Sequence, residues 1–192
     1  EHISYKYPGG SREVLSDVSL ELGSTDRLGI AAPSGFGKTT LCQILAGYRT
    51  PTAGRVCVDD MPLPGSGYCP VQMIWQHPDD GGGPPPSALG ETLYEAGPVE
   101  DRLLDALHIQ PAWLERILEL SGGELQRFCI ARLRKGGGYL LCDEITAMLD
   151  LITQADLDFL LEEARQRELG LVIVSHNTLL LERLCTRIHP LT

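Results

Sequence analysis

The chain has 192 residues, 43% of them hydrophobic, and a formal net charge of −10. That suits one large domain or two small ones with a real core and excludes disorder as the overall state. The acidic balance argues against a sequence-independent grip on nucleic acid. No run approaches the roughly 18–20 apolar residues of a membrane-spanning helix, and the first residues lack the basic-then-apolar layout of a signal peptide, so the chain reads as soluble.

Taken in order, ISYKY at 3–7, VSLEL at 18–22 and RVCVD at 55–59 are short or alternating and separated by Gly, Ser and Pro. They predict an antiparallel layer. LGIAA at 28–32, QMIW at 72–75, YLLCD at 139–143 and LVIVS at 171–175 are apolar on both sides, as buried strands of a parallel sheet are. TTLCQILAGY at 39–48 has helical spacing, as do ALGETLYEA and VEDRLLDALHI within 87–119, a stretch with no strand signal. GGGPPP at 81–86 and GGG at 136–138 read as loops, the second making 131–139 locally floppy. Cys42, Cys57, Cys69, Cys129, Cys142 and Cys185 form no C-x-x-C pair, and several sit in apolar runs. They read as reduced thiols rather than as metal ligands or disulfides.

Between the strand LGIAA and the helix lies AAPSGFGKTT, a near match to the phosphate-loop pattern G-x-x-x-x-G-K-[ST], with Ala32 where the pattern has its first glycine. Ser34, Gly35, Phe36, Gly37, Lys38, Thr39 and Thr40 predict a nucleotide cradle. Backbone N–H groups and the helix dipole would hold the β-phosphate, Lys38 the β- and γ-phosphates, and the Thr39 hydroxyl Mg²⁺. The first glycine serves the turn out of the strand, so Ala32 is expected to keep a negative φ and to be tolerated. Asp143 and Glu144 end YLLCDE at the carboxyl edge of the parallel sheet, where ligands bind. Asp143 suits Mg²⁺ through water, and Glu144 suits the general base that polarises an attacking water.

Leu120 to Arg127, LSGGELQR, precede a helical pattern, with Ser121 placed to cap it and two glycines in its first turn. This stretch resembles the signature of ABC-type ATPases. The resemblance covers nearly the whole chain and implies roles for further residues. Tyr7 would stack on adenine, Gln76 would sense the γ-phosphate and Mg²⁺, and His176 would contact the γ-phosphate. Ala147 to Asp150 would cross a dimer interface. Ser121, Gly122, Gly123 and Glu124 of one subunit would close over the phosphate loop of another.

The implied fold is α/β: a P-loop NTPase core, a mostly parallel sheet flanked by helices, with an N-terminal antiparallel β layer and an inserted helical subdomain. One domain spans 1–192, with the core and β layer at 1–76 and 131–192 and the helical subdomain, including the linker at 81–86, at 77–130. The cofactors implied are ATP and Mg²⁺. The partners implied are a second ABC ATPase subunit, identical or related, and transmembrane permease subunits, with no nucleic acid and no direct membrane insertion. The location implied is cytoplasmic, peripheral on the inner face of the cell membrane. The stretches DEITAMLDLITQADLDFLL and SHNTLLLERLC look most like the ATPase subunits of dipeptide, oligopeptide and nickel importers. A non-transport ABC ATPase acting on DNA or ribosomes, or a nucleotide-binding module with little turnover, are the alternatives. With sixteen residues after His176, the last strands usual in this family are expected to be missing.

Overall fold

The computed structural model describes residues 1–33, 35–64, 69–74, 101–110, 138–143, 161–162, 164–166 and 168–191. Among these, β1 (Ile3–Lys6) pairs antiparallel with β2 (Glu13–Val18). Next come β3 (Arg27–Ala31), helix α1 (Lys38–Leu45), and the two-residue strands β4 (Cys57–Val58) and β5 (Met61–Pro62), which pair with each other. Then follow β6 (Val71–Ile74), α2 (Asp101–Ala106), β7 (Gly138–Asp143), β8 (Leu169–Ser175), α3 (Thr178–Leu184) and β9 (Arg187–Pro190).

Five strands form one parallel sheet in the order β6-β7-β8-β3-β9. The apolar runs explain the interior positions, because a parallel strand covered on both faces must be apolar throughout. Every residue of β8, LGLVIVS, is buried, and so are the last four of β7. The edge strand β9 is only partly buried, and its Pro190 sits at the strand end, where a missing N–H costs no ladder bond. Helix α1 packs against β7, and α3 lies so close to β3 that a Cβ on Gly29 would stand 3.2 Å from Leu181 Cβ.

The four strands expected in the parallel core and helix α1 agree with expectation; other expectations change. RVCVD at 55–59 forms only the two-residue β4, which pairs with β5 in a sheet of its own rather than with β1 and β2. The second strand of the antiparallel layer is 13–18, not 18–22. β1 is four residues long and its register ends at Ile3 opposite Val18, so Leu20 and Leu22 contribute partly buried side chains without extending the ladder. A fifth parallel strand, β9, which no sequence run suggested, pairs beside β3. Its signal was hidden because RIHP is short, polar and ends in proline. Finally, Gly138 belongs to β7 rather than to a loop: Tyr139 N donates to Pro70 O at 2.9 Å, and a Cβ on Gly138 would collide with that same oxygen. The linker at 81–86 and the helix expected over 88–96 lie outside the described residues; α2 falls inside the second expected helix. No helix among the described residues is long and apolar enough to cross a membrane.

Candidate nucleotide site

The carboxyl ends of β7, β8 and β3 lie side by side, since Asp143 pairs with Val174 and Ala31 with Ser175. Everything that leaves these strands therefore emerges at one edge of the sheet. From β3 emerges the loop 32–37, from β7 the carboxylate of Asp143, and from β8 His176.

The loop turns twice through the left-handed region, at Gly35 (φ 84°) and Gly37 (φ 82°). The two glycines are needed for different reasons. A Cβ at Gly35 would meet nothing, so that side of the loop is open. A Cβ at Gly37 would stand 2.7 Å from Val14 Cγ1 and 3.0 Å from Leu15 Cδ2, so the loop is pressed against β2 there. Gly37 is also the N-cap of α1 and has no side chain to cap it. The first turn of the helix thus presents its N–H groups and positive dipole end without a capping side chain.

Lys38 is 7% exposed, and its Nζ donates to Ala32 O at 2.9 Å and Pro33 O at 3.0 Å. A buried ammonium is costly unless hydrogen-bonded, and the two carbonyls meet that need. Ala32 is itself buried at 6% exposure and is not among the residues with positive φ. The expected negative φ at Ala32 holds: the turn into the loop uses ordinary backbone at this position. Thr39 is exposed, while Thr40 is buried.

Tyr7, just past β1, is 41% exposed and shares a hydrogen bond with Thr40 Oγ1 at 2.9 Å. It stands edge-on to Tyr5, centroids 5.1 Å apart, so it is an anchored ring with an accessible surface rather than a core tyrosine. Between β2 and the loop lies a hollow of about 300 Å³ whose walls include Arg12, Val14, Gly35 and Phe36.

Asp143 is 1% exposed at the tip of β7. Beside it, burial pushes the Cys142 thiol well above its usual range, with Cys185 and Asp143 adding to the shift, so the residue next to the carboxylate stays neutral. His176 is exposed directly after β8. Its neighbours hold the turn: Asn177 N donates to Ser175 Oγ at 3.1 Å, and Asn177 Oδ1 caps α3 by accepting from Leu180 N at 3.2 Å.

The structure thus brings Gly35, Phe36, Gly37, Lys38, Thr39, Thr40, Tyr7, Asp143 and His176 to the loop region or to the strand ends beside it. Ser34, Gln76, Ser121, Gly122, Gly123, Glu124 and Glu144 lie outside the described residues. Sequence reasoning missed Val14 and Leu15, which back the loop at Gly37, and Arg49, whose guanidinium lies 5.1 Å from the Tyr7 ring centre. No local pattern marks either contact, since both join segments distant in the chain.

A parallel sheet whose β3 ends in a glycine loop closed by a buried lysine defines a P-loop nucleotide-binding domain. A family model described as ABC transporter matches residues 15–147. The taurine import ATP-binding protein TauB of Pseudomonas fluorescens is 35% identical over 87% of this chain and 66% of its own length. The nickel import ATP-binding protein NikE of Rhodospirillum rubrum is 32% identical over 93% of this chain and 72% of its own. This chain belongs to the ABC transporter ATP-binding family. It spans about two thirds of the length of its taurine relative. Among solved structures, the dimeric bacterial ABC transporter cassette MJ0796 superposes with a TM-score of 0.79 at 22% identity, covering 100% of this chain and 92% of that one. An ATP-binding subunit of an ABC transporter gives 0.78 at 18%, covering 100% and 84%. Both have the fold expected from the sequence.

Proposed function

We propose that this chain is the ATP-binding and ATP-hydrolysing subunit of a membrane importer. The observation that carries the reading is the loop after β3, with Gly35 and Gly37 in the left-handed region and Lys38 buried at its base, on the same sheet edge as Asp143. The relatives named as import subunits for taurine and nickel support it.

In this reading the N–H groups of the loop and of the α1 N-terminus hold the β-phosphate. Lys38 exchanges its carbonyl contacts for the β- and γ-phosphates, and Tyr7 stacks on adenine. The Thr39 hydroxyl and the Asp143 carboxylate are hard oxygen donors of the kind Mg²⁺ takes, with Gln76 as a further ligand. Among the described residues no group of three His, Cys, Asp or Glu gathers as a metal cage. Thr39 and Asp143 would hold Mg²⁺, whose charge would offset that of the phosphates. Glu144 takes the proton of the attacking water, and His176 and Gln76 contact the γ-phosphate.

Residues Ser121 to Glu124 complete the site of a second subunit, identical or related, so ATP sits between two chains. Closing on ATP and reopening after hydrolysis is a population shift between open and closed dimers. The 77–130 segment serves as the helical subdomain, between core portions at 1–76 and 131–192. Permease subunits receive the stroke, which places the chain at the cytoplasmic face of the membrane. The transported solute is small, in the range of peptides, nickel ions and comparable compounds. Detergent extraction followed by affinity purification of the chain tests the reading. The expected result is co-purification of integral membrane subunits; recovery of ribosomal RNA or DNA without them would overturn it in favour of a non-transport ABC ATPase.

A further inference from the structure

Tyr7 does not hold its position alone. Its ring stands at 87° to that of Tyr5, and the Arg49 guanidinium carbon fills the corner between them, 5.4 Å from the Tyr5 centre and 5.1 Å from the Tyr7 centre. Arg49 is fixed at three further points. Its Nη1 donates to Tyr5 Oη at 2.8 Å, its Nε donates to Gln43 Oε1 at 2.9 Å, and its backbone N donates to Gln43 O at 3.2 Å. Gln43 lies on α1, and the bond from Tyr48 N to Gln43 O, 2.8 Å, closes that helix so that Arg49 folds back over it. Thr40, one turn earlier on α1, holds the Tyr7 hydroxyl. The ring is therefore tied to the phosphate-loop helix at two places, through its hydroxyl and through the guanidinium beside it.

We propose that Arg49 is a positioning residue for nucleotide recognition. It sets the Tyr7 ring in its stacking orientation by bridging Tyr5, Tyr7 and Gln43, so that the base platform and the helix that opens the phosphate loop form one rigid unit. The proposal rests on the reading that Tyr7 stacks on the base. The guanidinium occupies one side of the ring, while 41% of the residue remains exposed for a base. A cation over an aromatic ring is attracted to it, and a planar fork held by two acceptors cannot drift as a free arginine would. Pre-organising the platform removes an ordering cost from binding, so the gain falls on the base and not on the phosphates.

The test measures binding of ATP and of inorganic triphosphate, which lacks a base, to the wild-type chain, Arg49→Ala, Tyr7→Ala and the double variant. Tyr7→Ala is expected to weaken ATP binding by about five- to a hundredfold, the range of a lost base–aromatic stack. Arg49→Ala is expected to weaken it about three- to tenfold. Neither changes triphosphate affinity, and the double variant binds ATP no more weakly than Tyr7→Ala, because the two residues act through one platform. Retained triphosphate binding shows that the variants are folded at the loop.

Wild-type ATP affinity in Tyr7→Ala would remove the stacking reading and the proposal with it. Wild-type affinity in Arg49→Ala alone, with Tyr7→Ala weakened, would overturn only the role of Arg49. Equal loss of ATP and triphosphate in Arg49→Ala would overturn it too, because the residue would then be supporting the loop. A further loss in the double variant beyond Tyr7→Ala would do the same.

Discussion

The Lys38 ammonium donates to the Ala32 carbonyl at 2.9 Å, so the lysine that closes the phosphate loop is bound to the residue that opens it. The bond uses the main chain of Ala32, which any residue supplies. Its methyl group is buried in the core cluster. Ala32→Gly is accordingly expected to change ATP affinity less than about twofold and to lower stability by about 1 kcal/mol, from lost methyl burial and a looser unfolded chain. Calorimetric titration and a denaturant melt check both. A large gain in affinity would show instead that alanine impairs the loop.

Gly35 and Gly37 share a backbone conformation but not an environment. Alanine at Gly35 meets only the left-handed penalty, on the order of 1–2 kcal/mol. Alanine at Gly37 adds a clash with Val14 at 2.7 Å, which must displace β2 or the loop. Overpacking of this kind costs a further 1–3 kcal/mol, approximately. Urea denaturation is expected to rank Gly37→Ala well below Gly35→Ala, and the reverse order would contradict the packing described at β2.

Lys38→Met separates binding from stability. Losing a charged partner for the phosphates is expected to weaken ATP about ten- to a hundredfold. The melting temperature is expected to stay level or rise, because an apolar chain of similar volume replaces a buried ammonium. Binding by calorimetry and melting by differential scanning on the same sample decide the matter.

The thiols give a pH prediction. Burial pushes Cys185 up to about 11, against 9.0 for an ordinary thiol, with Arg27 pulling the other way. Because the folded value is raised, the neutral thiol's contribution is fully present below about pH 9 and is lost as pH rises towards 11. Burial acts in the same direction on Cys142. Stability from denaturant melts is expected to fall between pH 9 and 11 in the wild type, and to fall less in Cys185→Ala. Alkylation at pH 8 is expected to reach the partly exposed Cys57 before the fully buried Cys42 and Cys142.

The parallel core was legible because strands buried on both faces leave an unbroken apolar run, as LVIVS and YLLCD do. The loop was legible because its chemistry demands glycine, lysine and threonine at set spacings. What escaped were features defined by a partner elsewhere. The second strand's limits depend on the length of β1, β9 exists because β3 offers it an edge, and Gly138 is required by Pro70 O. Arg49 shows the same limit. Its meeting with Tyr5 and Tyr7 spans more than forty residues of chain, with the Arg49–Tyr5 hydrogen bond 44 positions apart. Local periodicity carries no trace of such a contact.

The most direct test of the account is ATP turnover by the purified chain against Glu144→Gln, with ATP binding measured on both. Comparable ATP binding is expected, with turnover in the variant reduced about a hundred- to ten-thousandfold, the range for removal of a general base. Equal turnover in the two proteins would contradict it.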